Sequence, residues 1–174
     1  MRRRFWIFIP LTLSLVCDAH AESLAPEVAT RLAAVHEAIV AREGVRAARA
    51  WPDAWHAAQV SRRWEPLLTA GDAALRIGEL TGARLPARVN ARQAYRAALY
   101  RAYSQGSVDG VLRAAEAMIL MGDREVPETA LHMARKLAAS SGNQEVRDRV
   151  ERDALRIAAC VTGTPASPSA DRVP

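Results

Sequence analysis

The stretch of sequence that decides the fold is residues 107–138, SVDGVLRAAEAMILMGDREVPETALHMARKLA. Apolar residues recur in it every three or four positions, as on one face of an α-helix, and not in the alternation of a half-buried strand. Ser107 is suited to cap a helix that stops at Gly122. Pro127 and Glu128 are suited to start the next helix, which ends before Gly142. The stretch therefore predicts two helices joined by a short turn.

The same spacing continues through the rest of the chain and predicts five further helices. The first begins at Pro26 and Glu27, carries an apolar stripe and ends at Gly44. The second is interrupted or begins again near Pro52. The bounds of the other segments follow from Pro, Gly and Asn signals: 45–63 for the second, 65–80 for the third, 86–106 for the fourth and 143–160 for the last.

These elements predict an all-α fold of about seven helices in one domain. Half of the residues are apolar but only 5% are aromatic, so small side chains, mainly Ala, must fill the space between helices. Short connections place consecutive helices antiparallel to each other. The antiparallel helical hairpins can stack as a short α-solenoid or close into a bundle, and the sequence leaves both arrangements open.

Part of this stretch carries a family resemblance. Gly122-Asp123 at the end of one helix, with Ala130-Leu131 and Ala134 in the next, resembles the tetratricopeptide-type helical repeat. A less complete copy runs over residues 98–115, and a third lies around Gly71-Asp72, so the resemblance covers about half of the chain after residue 21. The resemblance implies a protein-binding scaffold and assigns no specific binding residues.

The amino terminus has the three-part layout of a cleavable secretory signal. Three arginines precede an apolar run from Phe5 to Cys17, and Ala19 and Ala21 stand before Glu22. As a helix the run is about 20 Å long, too short for a hydrocarbon core of about 30 Å. We therefore expect cleavage after Ala21, export to the periplasm, and no stable membrane span afterwards.

Three other interpretations of this segment stay open: an uncleaved anchor, a lipidated Cys17, and twin-arginine export directed by residues 2–5. After Cys160 the composition changes to Thr, Pro, Ser and Gly with nothing to bury. The predicted organisation is thus a signal peptide at 1–21, a helical domain at 22–160 and a disordered tail at 161–174.

Composition and motifs also restrict the function. The net charge is +5, with arginines interleaved among acids, and this pattern does not favour a nucleic-acid partner. The sequence lacks the phosphate-loop, haem-attachment, zinc-protease and nucleophile-elbow motifs, so we predict no enzyme, no cofactor and no metal site. The alternative is an accessory protein for metal delivery or for maturation of an exported enzyme, with a soft copper site at Met118, Met121 and His132.

Two features are the candidate partner-binding residues. The first is a basic ridge of four arginines, each shifted by only about 40° around the fourth helix: Arg84, Arg88, Arg92 and Arg96. It can capture carboxylates or anionic headgroups, or it is simply a solvated helix face. The second is the pair Trp51 and Trp55, which either fills the core or forms a binding patch. The expected function is an adaptor or assembly factor that binds another exported protein.

Overall fold

The computed structural model describes residues 16–123 and 126–162, with side chains described for 26–123 and 126–159. Within these ranges the chain forms seven α-helices and no strand, which confirms the predicted all-α fold. The helices are α1 Val16–Val40, α2 Gly44–Val60, α3 Glu65–Thr81, α4 Arg84–Ser104, α5 Val108–Leu120, α6 Val126–Ser140 and α7 Gln144–Thr162.

Both predicted terminal segments lie mostly outside the described residues. Residues 16–21 of the predicted signal belong to α1, which continues through the expected cleavage site. At the other end, α7 runs two residues past Cys160 into the segment predicted as tail. None of the helices in the described ranges combines the length and the apolar character needed to cross a bilayer.

The helices pack as an open stack. Each helix contacts its neighbours in sequence, and the next-but-one contacts are α1 with α3, α4 with α6 and α5 with α7. Within the described ranges no other pair of helices makes more than a marginal contact, so the first helix does not close on the last. Contacts confined to near neighbours are typical of stacked helical hairpins.

Several helix ends confirm the sequence signals. The hydroxyl of Ser107 accepts a hydrogen bond from the backbone N–H of Gly110 at 3.1 Å, which caps α5 as predicted. Left-handed glycines with φ between 68° and 78° follow four helices. They are Gly82 after α3, Gly106 after α4, Gly122 after α5 and Gly142 after α6.

The predicted bounds of the first two helices are wrong. Gly44 begins α2 and does not end α1, because Arg42 adopts the left-handed backbone (φ 57°) after α1. The N–H of Glu43 then donates to the carbonyl of Ala38 and completes the turn. Pro26 lies inside α1, which begins earlier than predicted, and α2 continues through Pro52 without a break.

Small residues let α3 and α4 approach closely. Among the residues whose side chains are described, alanine supplies more than half of the buried apolar ones. A Cβ atom on Gly71 would lie 2.4 Å from Cε1 of Tyr95, and one on Gly78 would lie 2.4 Å from Cβ of Ala87. Each glycine costs a helix about 1 kcal/mol relative to alanine. The two glycines therefore lower the intrinsic stability of α3, but they allow α4 to approach it closely.

Tyr95 is the largest of the most deeply buried side chains and lies across this contact. Its ring packs on Gly71, and its hydroxyl donates to Oδ1 of Asp72 at 2.7 Å. Burial, together with the hydrogen bond and the charge of Asp72, raises the pKa of Tyr95 well above its ordinary value. The phenol of Tyr95 therefore stays protonated in the folded protein.

Helix α7 is held to the stack by a few buried apolar residues and by several exposed ion pairs. Val150, Ala154 and Ile157 are its buried apolar residues within the range described. Exposed ion pairs surround them: Arg135 with Glu151 at 2.9 Å, Arg149 with Asp109 at 2.6 Å, and Arg156 with Glu116. Exposed pairs of this kind each contribute about 0–1 kcal/mol and weaken in salt.

Replacing Gly78 by alanine tests the α3–α4 contact. We expect Gly78→Ala to lower the free energy of unfolding by about 1–3 kcal/mol, because the new methyl group meets the methyl of Ala87. The double variant Gly78→Ala/Ala87→Gly moves the methyl group to the other helix and should recover most of the loss. Urea unfolding followed by circular dichroism measures both. A single variant as stable as the parent chain would contradict the packing described.

The buried phenol of Tyr95 predicts a loss of stability at alkaline pH. In the unfolded chain Tyr95 ionises near its ordinary pKa of about 10, whereas the folded chain keeps its proton because the pKa is raised. Above that pH the unfolded state binds fewer protons, so the free energy of unfolding must fall as pH rises. Urea titrations above and below the ordinary pKa should show a smaller fall for Tyr95→Phe. Equal slopes would contradict the assignment.

Candidate protein-binding surface

Two of the four ridge arginines are tied to the fold. A guanidinium nitrogen of Arg88 donates to the backbone carbonyl of Met121. Nε of Arg92 lies 3.0 Å from Oδ2 of Asp123. Met121 and Asp123 belong to the turn between α5 and α6, so both arginines fasten α4 to that turn.

The chemistry of this turn explains the contact. The last carbonyls of a helix lack intrahelical donors and carry the negative end of the helix dipole, so a guanidinium is a favourable partner for Met121. The side chain of Asp123 is only 12% exposed, while that of Arg92 is 51% exposed. Arg92 therefore shields the carboxylate and still presents part of its own surface to solvent.

The other two ridge arginines are exposed. The side chains of Arg84 and Arg96 make no hydrogen bond or ion pair within the described part of the chain. Arg84 lines, with Arg88 and Glu79, a groove of about 260 Å³ between α3, α4 and the end of α5. The exposed Leu120 forms part of its apolar wall. The ridge thus divides into two structural arginines and two arginines that remain available.

This division predicts different effects for chemically identical substitutions. Arg88→Ala and Arg92→Ala should each lower the free energy of unfolding, by about 1 kcal/mol, because each removes a contact to the α5–α6 turn. Arg96→Ala is the matched control and should leave stability within about 0.5 kcal/mol of the parent. Urea unfolding measures all three variants. Equal effects at the three positions would show that the turn contacts do not hold α4.

The two predicted tryptophans form one stacked pair. The rings of Trp51 and Trp55 are nearly parallel, at 7°, with centroids 5.9 Å apart. Nε1 of Trp51 donates to the carbonyl of Ala70 at 2.8 Å, and both side chains are half-buried against the main hydrophobic cluster. Trp51 also packs against the smaller cluster between α1, α2 and α3. The pair therefore fills the seam between α2 and α3.

Trp51 also contributes to an open groove. The groove has a volume of about 160 Å³, lies between α2 and α4 above α3, and is lined in addition by Ala48, Pro86 and Asn90. Trp64 occupies a different site, where it packs on Gly110 with the guanidinium carbon of Arg113 5.6 Å from the centroid of its ring. Of the sequence-predicted residues, Trp51 is thus both a packing residue and a groove residue.

The structure adds a feature that the sequence analysis missed, which we call the α4 outer face and define by Leu85, Val89, Arg96 and Tyr100. Leu85 is 75% exposed, Val89 59% and Tyr100 51%. At about 100° per residue the four positions fall within an arc of about 60° and extend for about 22 Å. The spacing of these residues, four, seven and four, is visible in the sequence. However, α4 has an equally regular inner stripe that contains Tyr95 and Leu99, and the sequence does not show which of the two stripes faces outward.

The suggested copper ligands do not form an exposed site. Met118 and Met121 are buried in the main hydrophobic cluster, whereas His132 is exposed on α6. In the ranges that the structure describes, no three His, Cys, Asp or Glu side chains lie close enough together to hold a metal ion. The burial of Met118 and Met121 is that of ordinary core residues.

No protein-family model matches the chain, and no curated protein matches it at a significant level.

Proposed function

We propose that this chain is an exported helical scaffold that binds another exported protein as an adaptor or assembly factor. The observation that carries the proposal is the α4 outer face. Single exposed apolar residues are common on any protein. Three on one narrow arc of one helix, beside an arginine that makes no ion pair with the described residues, have the composition of an interface.

The architecture supports the same function. An open stack of hairpins exposes one side of each helix over its full length, and extended surfaces of this kind suit the binding of other proteins. The tetratricopeptide-like outline at Gly122-Asp123 and Ala130-Leu131 implies the same kind of activity. The signal-like amino terminus supports the periplasm as the place where the scaffold meets its partner.

Site-specific photo-crosslinking in cells tests the proposal. A photoreactive amino acid at Val89 should give a discrete adduct of higher mass in the periplasmic fraction, because this side chain faces outward on α4. The matched control is the same amino acid at Arg152, an exposed position on α7. Absence of an adduct at Val89, or the same adducts at both positions, would contradict a specific scaffold function.

A further inference from the structure

We infer that the α4 outer face binds an acidic amphipathic helix of the partner protein. The inference rests on the proposed scaffold function and specifies the element and the chemistry that the scaffold recognises. Three properties of the face lead to it: its width, the order of its residues and its charge.

The width of the face fits one helix. Its exposed apolar residues lie in a line along α4, with Leu85 and Val89 at one end and Tyr100 at the other. Grooves run along both sides of the first turns of α4, one beside Pro86 and Asn90 and one beside Arg84. A ridge between two grooves is the shape that a second helix can pack along, with its own side chains in the grooves.

The order of the residues selects the chemistry of that helix. Arg92 and Arg96 stand in the middle of the line, between the apolar ends. Arg96 has no acidic partner in the described part of the chain, and Arg92 keeps half of its side chain exposed beside Asp123. A complementary helix therefore carries carboxylates in its central turns and large apolar residues toward its ends.

The charge also argues against a second copy of this chain as the occupant. Two α4 helices packed in parallel along this face, or antiparallel about the middle of α4 near residue 94, would place Arg92 and Arg96 opposite the same arginines. Like charges facing each other across an interface are unfavourable and act against self-association. The α4 outer face thus discriminates in favour of a different, acidic protein.

A membrane surface fits the same face less well. Helices that lie on bilayers have one continuous apolar side with basic residues flanking it. On α4 the order is reversed, because the arginines interrupt the apolar line at its centre. The protein partner is therefore the occupant for which the observations argue.

Selection from a peptide library tests the inference with the full chain as the target. The probe is a display library of helical peptides about 16 residues long, which matches the length of the face, randomised on one side only. We expect enriched peptides with Asp or Glu in the central turns and Leu, Ile or Phe toward the ends. The affinity of a synthesised enriched peptide should fall as salt is raised.

Charge reversal supplies the matched comparison. Arg96→Glu should weaken binding of the acidic peptide by about tenfold or more, because an attraction becomes a repulsion, and should select basic peptides when it is itself the target. Arg152→Glu changes the charge equally on α7 and should leave the affinity within about twofold. Both residues are exposed and make no ion pair within the described ranges, so circular dichroism should show both variants folded.

Several outcomes would overturn the inference. These are enriched peptides without central acids, an affinity that Arg96→Glu and Arg152→Glu change equally, no enrichment at all, Arg96-dependent binding to phosphatidylglycerol vesicles without peptide selection, or a dimer that Val89→Glu dissociates. If crosslinking at Val89 succeeds while the selection returns no acidic helix, the scaffold function stands and the occupant is wrong. If both experiments fail, the proposed function fails with it.

Discussion

The contact between α3 and α4 is the constraint on which the rest of the structure depends. Gly71 and Gly78 have no side chains at two positions of the face that α4 covers, and the ring of Tyr95 and the methyl of Ala87 occupy that space. This contact fixes the rotation of α4 about its own axis. The same rotation brings Arg88 and Arg92 to the α5–α6 turn and turns Leu85 and Val89 outward, so the packing of one pair of helices decides what the surface of α4 presents.

A core made mostly of alanine has a consequence for how the large side chains are used. Alanine permits close approach but buries little apolar area per residue. The chain compensates where aromatic residues meet glycine: Tyr95 on Gly71, and Trp64 on Gly110. The stacked Trp51 and Trp55 close the seam at the edge of the same core. Their half-burial is therefore explained by packing, while one side of Trp51 still reaches a groove.

Local signals predicted much of the fold. The structure confirms the helix ends predicted at Ser107, Gly82 and Gly122. Each is set by chemistry that acts within a few residues, such as the hydrogen bond that the Gly110 N–H donates to the Ser107 hydroxyl. The boundary between α1 and α2 was mispredicted because a non-glycine residue, Arg42, takes the left-handed backbone. The spacing of the α4 arginines placed them in a line, but the contact of Arg88 with Met121, 33 residues away, depends on tertiary packing. For the same reason the sequence could not show which apolar stripe of α4 faces outward.

The attachment of α7 gives the stack a weak end. In a linear array each helix contacts only its near neighbours, and the terminal helix has neighbours on one side only. Here that helix is held by a short apolar strip and by ion pairs that compete with dissolved salt. Helix α7 can therefore open as a separate unit while the contact between α3 and α4 at the two glycines stays intact.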